Sequence, residues 1–182
     1  LQVASLFLFY EFFGVVTNLF GGWLGARLGL NATLFGGLAL QVVALGMLAV
    51  DPAWLSVAYV MIAQAFSGIA KDLTKMSSKS AIKFVVAEDA QSTLFKWVAI
   101  LTGSKNALKG IGFFIGGLLL YQVGFQNAPF ILAGLVLTAL LTTALLMKGD
   151  LGTVNKKAKF SQMFSNNSAV NLLALARVFL FA

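Results

Sequence analysis

From Ala128 to Met147 the chain runs without one charged residue, at about 20 residues the length a helix needs to cross the hydrocarbon core of a bilayer. Such a stretch is either buried inside a large protein or surrounded by lipid, because water does not cover it. This chain has 182 residues, 59% hydrophobic and 10% charged, whereas soluble domains hold about 45–50% apolar and about 25% charged residues. There is too little polar surface for a water-soluble fold and too much apolar side chain for disorder. The expected class is therefore an all-α membrane protein. Cys and His are absent, so disulfide scaffolds, cysteine nucleophiles, thiolate metal sites and imidazole acid–base chemistry are excluded.

Four more apolar runs precede that span. The first extends from about Leu6 to Leu24 and ends in GGWLGARLGLN, where Gly29 and Asn31 break the pattern around Arg27. The second, from about Ala32 to Val50, stops at the turn signal Asp51-Pro52. The third starts near Ala53, stays apolar to Ala70 and turns Lys-rich until Glu88-Asp89, while the fourth, Thr93 to Val123, carries Lys96, Lys105 and Lys109. A helix from Ala53 to Val86 is about 51 Å long at 1.5 Å per residue, against a core of about 30 Å. It is expected to project from the membrane, with a break at Gly68 or Ser77-Ser78 as the alternative. The expected organisation is most of a six-helix half over 1–147, a central cytoplasmic loop over 148–168, and the start of a second half over 169–182.

Net charge is +7, from 13 Lys and Arg against 6 Asp and Glu. Basic residues favour cytoplasmic loops. Arg27, the Lys83 to Lys96 region and the linker with Lys148, Lys156, Lys157 and Lys159 fall on one side, which is expected to be cytoplasmic. The first span then runs outside to inside, which implies a further helix upstream and a partial chain.

Other lysines do not fit a loop role. Lys71, Lys75, Lys79 and Lys83 recur every four residues and form a stripe on one helix face, with Gln64, Ser67 and Ser78 on or near that side. Thr102, Lys105, Asn106 and Lys109 share a face of the next helix in the same way. Lys83 and Lys96 are read as interfacial anchors, their methylenes along lipid and their ammonium groups among head groups. Lys105 and Lys109 lie about 12 and 16 residues into a span, and two lysines facing lipid at that depth would cost on the order of 5–7 kcal/mol. They are expected to face a polar cavity. Asp72, three residues before Lys75, and Glu11 are the available counterions, with Glu11 equally readable as a proton-coupling carboxylate. At least three lysines among 71, 75, 79, 105 and 109 lack a carboxylate, so a small anionic substrate is expected to supply the missing charge. Lysine suits phosphate-like oxyanions as a compact charge with three donors.

Ten of the 18 glycines fall at 21, 22 and 25, at 36 and 37, at 103, at 110 and 112, and at 116 and 117, a pattern of close helix packing. No Gly-rich phosphate loop with its GK[ST] ending occurs. Neither a metal set nor paired catalytic carboxylates can be assembled, and no cofactor, nucleic-acid partner or enzymatic activity is expected.

The segment Gly22-Trp23-Leu24-Gly25-Ala26-Arg27-Leu28-Gly29 resembles the loop signature G-x-L-a-D-r-x-G-r-r of the major facilitator superfamily, with Ala26 at its Asp and Leu30 and Asn31 at its basic pair. Gly112, Gly116 and Gly117 resemble the end of the fifth-helix motif G-x-x-x-G-P-x-x-G-G, with Phe113 at the proline. This resemblance implies helices two to six and the start of helix seven, with Gly22, Arg27 and Gly29 in a gating loop. More narrowly, SLFLFYEFFGVVTNLFGGWLGARLGLN, SGIAKDLTKMSSKSAIK and KWVAILTGSKNALKGIGFF look like the organoarsenical efflux permeases of bacterial arsenic-resistance operons. That likeness implies a multi-pass protein of the bacterial inner membrane exporting 1-arseno-3-phosphoglycerate. It also implies a functional link to glyceraldehyde-3-phosphate dehydrogenase, which makes that product when arsenate replaces phosphate. The two stripes give the candidate substrate-binding residues Lys71, Lys75, Lys79, Lys105, Asn106 and Lys109. The alternatives are a transporter of another organic phosphate or carboxylate, and a non-transporting membrane scaffold.

Overall fold

The computed structural model describes residues 2–85 and 91–147, with 168, 169, 171–173 and 176. Four α-helices and one 3-10 turn account for the first two stretches: α1 (Gln2–Leu28), α2 (Leu30–Leu48), the turn Pro52–Trp54, α3 (Val57–Val85) and α4 (Gln91–Leu146). No strand occurs among the described residues, so the fold is all-α. The expected central loop falls almost wholly outside them, as do the linker lysines.

Helix ends follow local chemistry. Gly29 adopts φ 91° and ψ 156°, a region essentially reserved for glycine. The chain turns there from α1 into α2 without a longer loop, while the Gly29 N–H still donates to the Gly25 carbonyl at 3.0 Å. At the next break the Asp51 carboxylate accepts from the Ala53 N–H at 2.9 Å, and Pro52 opens the 3-10 turn. The third long helix therefore begins at Val57 and not near Ala53. Ser56 supplies its start by accepting from the Tyr59 N–H at 3.3 Å, the usual N-terminal use of a serine hydroxyl.

α3 continues unbroken for 29 residues, through Gly68 and Ser77-Ser78. The serine hydroxyls donate back to the carbonyls of Leu73 and Thr74 at 2.8 and 2.7 Å, within the helix. Neither alternative break point is used, and the helix is continuous as expected. α4 is interrupted at Gly124 (φ 77°, ψ 173°), which splits its 56 residues into two arms matching the fourth and fifth apolar runs. Pro129 lies inside the second arm, five residues past the break and beyond the first turn whose N–H groups lack helical acceptors, so it leaves one carbonyl of that turn without its helical donor.

α3 is the centre of the packing, and two of its faces serve two neighbours. Ser67, Ala70, Thr74 and Ser77 meet α2: Ser67 Oγ donates to Gln41 Oε1 at 3.1 Å, and Ser77 Oγ lies 2.7 Å from Thr33 Oγ1. Between these two contacts Gly37 lies against Thr74 and Ala70. Numbers rise along α2 as they fall along α3, so the two helices are antiparallel. Gly68, Lys71, Asp72 and Met76 meet Tyr10, Glu11, Gly14 and Gly21 of α1, with numbers rising together, so α1 and α3 are parallel. Small residues make both approaches close: Ala44, Ala63, Ala65 and Ala70 are buried, as is Thr33. Ser67, expected beside the lysines, is turned toward α2.

Two helical stretches, Leu30–Leu48 and Phe95–Leu146, are long and apolar enough to cross a membrane. The second is covered by little of the protein: Phe113, Phe114 and Tyr121 are 77%, 83% and 88% exposed.

Candidate functional site

The α1-facing stripe of α3 carries the charges. Position 68 lacks a side chain, and a Cβ there would fall on the Tyr10 carbonyl oxygen. The helices therefore touch at that level. One turn further along, the Lys71 ammonium reaches both oxygens of Glu11 at 3.2 and 3.3 Å and stands 4.1 Å from the centroid of the Tyr10 ring. A cation over an aromatic face is attracted by the ring quadrupole, so Tyr10 and Glu11 hold the same ammonium from two sides.

Asp72 is the most enclosed charged group described, at 2% exposure. Its Oδ1 accepts from Lys75 Nζ at 3.2 Å, and its other oxygen points at Gly14, where a Cβ would stand 2.5 Å away. Glycine at position 14 leaves the space in which the carboxylate sits. Lys79 continues the stripe, half-buried, and makes no ion pair among the described residues.

The first arm of α4 brings the second charged group. Lys105 lies within electrostatic reach of Lys75, Lys71 and Lys79, and of Asp72 with the opposite sign. Lys105, Lys109 and Lys96 are all exposed, so among the described residues nothing closes over Lys105 and Lys109. α4 lies mainly against α2, and most of its residues, on both arms, are exposed. Thr102, on the same face, donates to the Val98 carbonyl at 2.8 Å. The backbone of Asn106 is helical, while the side chains of Asn106 and Lys83 lie outside the described residues.

At the expected gating loop, Gly22 is helical within α1 and Gly29 is the turn itself. Arg27, exposed in the last turn of α1, stands 5.1 Å from the Trp23 ring centroid, which orients its guanidinium near a helix C-terminus that favours positive charge. Sequence reasoning named the charged residues but missed Tyr10, Gly14 and Gly68, which shape the space around them. The available signal was glycine in α1 at the spacing of two turns, Gly14 and Gly21, in a helix otherwise full of bulky residues.

Chemically, the arrangement is a cluster of ammonium groups with fewer carboxylates than cations, suited to holding an oxyanion. Among the described residues no group of three or more potential carboxylate, imidazole or thiolate ligands for a metal ion comes together. Comparison with protein-family models returns no match, and neither does comparison with curated proteins.

Proposed function

We propose that the chain forms part of an integral-membrane transporter that exports an organic oxyanion. The observation that carries this reading is the lysine stripe of α3, where Lys71 and Lys75 pair with Glu11 and Asp72 and Lys79 makes no ion pair among the described residues, with Lys105 of α4 in electrostatic reach of all three. Ionisable groups on apolar helices mark substrate paths more often than they serve stability. The uncovered apolar surface of α4 supports a lipid setting.

The finer reading is a bundle of the major facilitator type that works by alternating access about a midplane site, in the bacterial inner membrane. Its substrate is 1-arseno-3-phosphoglycerate, supplied by glyceraldehyde-3-phosphate dehydrogenase acting on arsenate. This part rests on the sequence resemblance together with the fit of a doubly anionic molecule to the lysines. The chain holds the phosphate and arsenate ends by ion pairs and exposes them alternately to the two sides. With the cell interior negative, each exported negative charge gains about 2.3 kcal/mol per 100 mV, so the anion moves outward without a coupled proton. Glu11, bound to Lys71, acts as a counterion.

The test is arsenate resistance in cells that carry the full-length protein with the dehydrogenase. Lys105→Gln and Lys109→Gln are expected to lose resistance with the protein still in the membrane; unchanged resistance in both would overturn the reading. Resistance that does not depend on the dehydrogenase would point to another organic phosphate or carboxylate as substrate.

A further inference from the structure

The two ion pairs of α3 differ in how easily they open. Asp72 is buried and its partner Lys75 stands on the same helix, so drawing Lys75 away would strand an enclosed carboxylate, which is strongly unfavourable. Glu11 is exposed and makes no other hydrogen bond or ion pair among the described residues. Its pair with Lys71 is the one that can part with little loss.

The other side of Lys71 is fixed. The Tyr10 backbone rests against Gly68, one turn before Lys71 on α3, and Gly14, one turn after Tyr10 on α1, rests against Asp72. These two close approaches set α1 against α3. The Tyr10 ring is thereby brought to 4.1 Å from the Lys71 ammonium by backbone packing, independently of whether Glu11 is bound. Lys71 itself is only half-buried, so an incoming group can reach it.

From this asymmetry, and resting on the anion-transport reading above, we propose that the Glu11 carboxylate is a tethered competitor that holds the substrate's place on Lys71, and that Tyr10 is the positioning residue that keeps the ammonium there while one anion replaces the other. Glu11 presents two oxygens to the ammonium, at 3.2 and 3.3 Å, and one edge of a phosphate-type group presents the same pair. Exchange spares Lys71 an unpaired state, which is costly where water is scarce. The Tyr10 face attracts the cation through the ring quadrupole without occupying the donors that the oxyanion needs.

The same edge is offered by a soluble phosphate monoester and by the headgroup of phosphatidic acid. The experiment is equilibrium binding of glycerol 3-phosphate to the full-length protein in phosphatidylcholine nanodiscs. Glu11→Gln is expected to bind about two- to fivefold more tightly than wild type, the strength that an exposed ion pair can set against the ligand, and misfolding does not produce a gain of affinity. Lys71→Gln, with wild-type elution on size exclusion, should lose about tenfold or more, as for one charge-assisted hydrogen bond. The gain from Glu11→Gln should vanish in the Lys71→Gln background, where nothing is left to compete for. In the Glu11→Gln background, Tyr10→Leu should weaken binding about two- to fivefold by lowering the share of Lys71 held in place. Tyr10→Phe keeps the ring and should bind as its parent does.

A gain from Glu11→Gln that persists in the Lys71→Gln background is a general effect of charge and overturns the competitor role, as does equal binding by Glu11→Gln and wild type. Loss in both Tyr10→Leu and Tyr10→Phe assigns the hydroxyl, and loss in neither removes Tyr10 from the site; either result overturns the positioning role. Phosphatidic acid that displaces glycerol 3-phosphate, with the same order among the variants, assigns the lipid headgroup as the oxyanion and supports the exchange. If neither wild type nor Glu11→Gln binds glycerol 3-phosphate or phosphatidic acid, the anion-transport reading fails, a result distinct from binding with the wrong variant pattern.

Discussion

Lys71 of α3 grips both carboxylate oxygens of Glu11 of α1, 60 positions away in the chain, at 3.2 and 3.3 Å. It joins two parallel helices at the level where Gly68 lets their backbones touch. Because the Glu11 side chain is 53% exposed, the pair adds little to stability, about 0–1 kcal/mol for exposed pairs. Glu11→Gln should shift the unfolding midpoint of the detergent-solubilised protein by no more than that energy implies, as followed by tryptophan fluorescence.

The second ion pair should behave asymmetrically. Asp72 is almost fully enclosed and Lys75 is about a third exposed, so removing the lysine strands a buried carboxylate, whereas removing the carboxylate frees a cation that can reach solvent. Lys75→Met is expected to cost about 3 kcal/mol and Asp72→Asn about 1 kcal/mol, the worth of an ordinary hydrogen bond. Thermal unfolding of the two variants side by side checks the order; equal costs would contradict the burial of Asp72.

Glycines that look alike in the sequence should respond in opposite directions. Gly68→Ala drives a Cβ into the Tyr10 carbonyl, backbone that cannot step aside, and should cost about 1–3 kcal/mol as an overpacked contact. Gly103 has open space around it, so Gly103→Ala should stabilise α4 by up to about 1 kcal/mol. Paired melting curves test both.

Backbone strain predicts another pair. Gly29 and Gly124 have φ values of 91° and 77°, where an L side chain is disfavoured, so Gly29→Ala and Gly124→Ala should each cost about 1–3 kcal/mol. At Gly124 no atom crowds a Cβ, so its penalty is conformational only; with ψ 173° the position lies outside the left-handed helical region that Asn tolerates, and Gly124→Asn should cost about as much as Gly124→Ala.

The antiparallel register of α2 and α3 can be tested covalently. Thr33 and Ser77 hydroxyls are 2.7 Å apart and the chain contains no cysteine, so Thr33→Cys/Ser77→Cys should form an intramolecular disulfide under mild oxidation. Mass spectrometry of the digested protein would show the linked peptides, and absence of the link would contradict the register.

The sequence by itself determined the helical class and the stripes. Apolar length marks helices long enough to cross a membrane, Gly29 and Asp51-Pro52 end helices through their own backbone chemistry, and four-residue spacing puts Lys71, Lys75 and Lys79 on one face. All these are local properties, readable within a few turns of chain. Only the tertiary structure decided which face meets which neighbour: that Glu11 takes Lys71, that Ser67 turns to Gln41, that Gly14 makes room for Asp72, and that Lys105 and Lys109 remain uncovered. Periodicity fixes which side chains share a face, but the partner across the gap depends on helix crossing and register. Those are set by where small residues allow backbones to approach, and Gly14, Gly37 and Gly68 acquire that role only when the residues opposite them are in place.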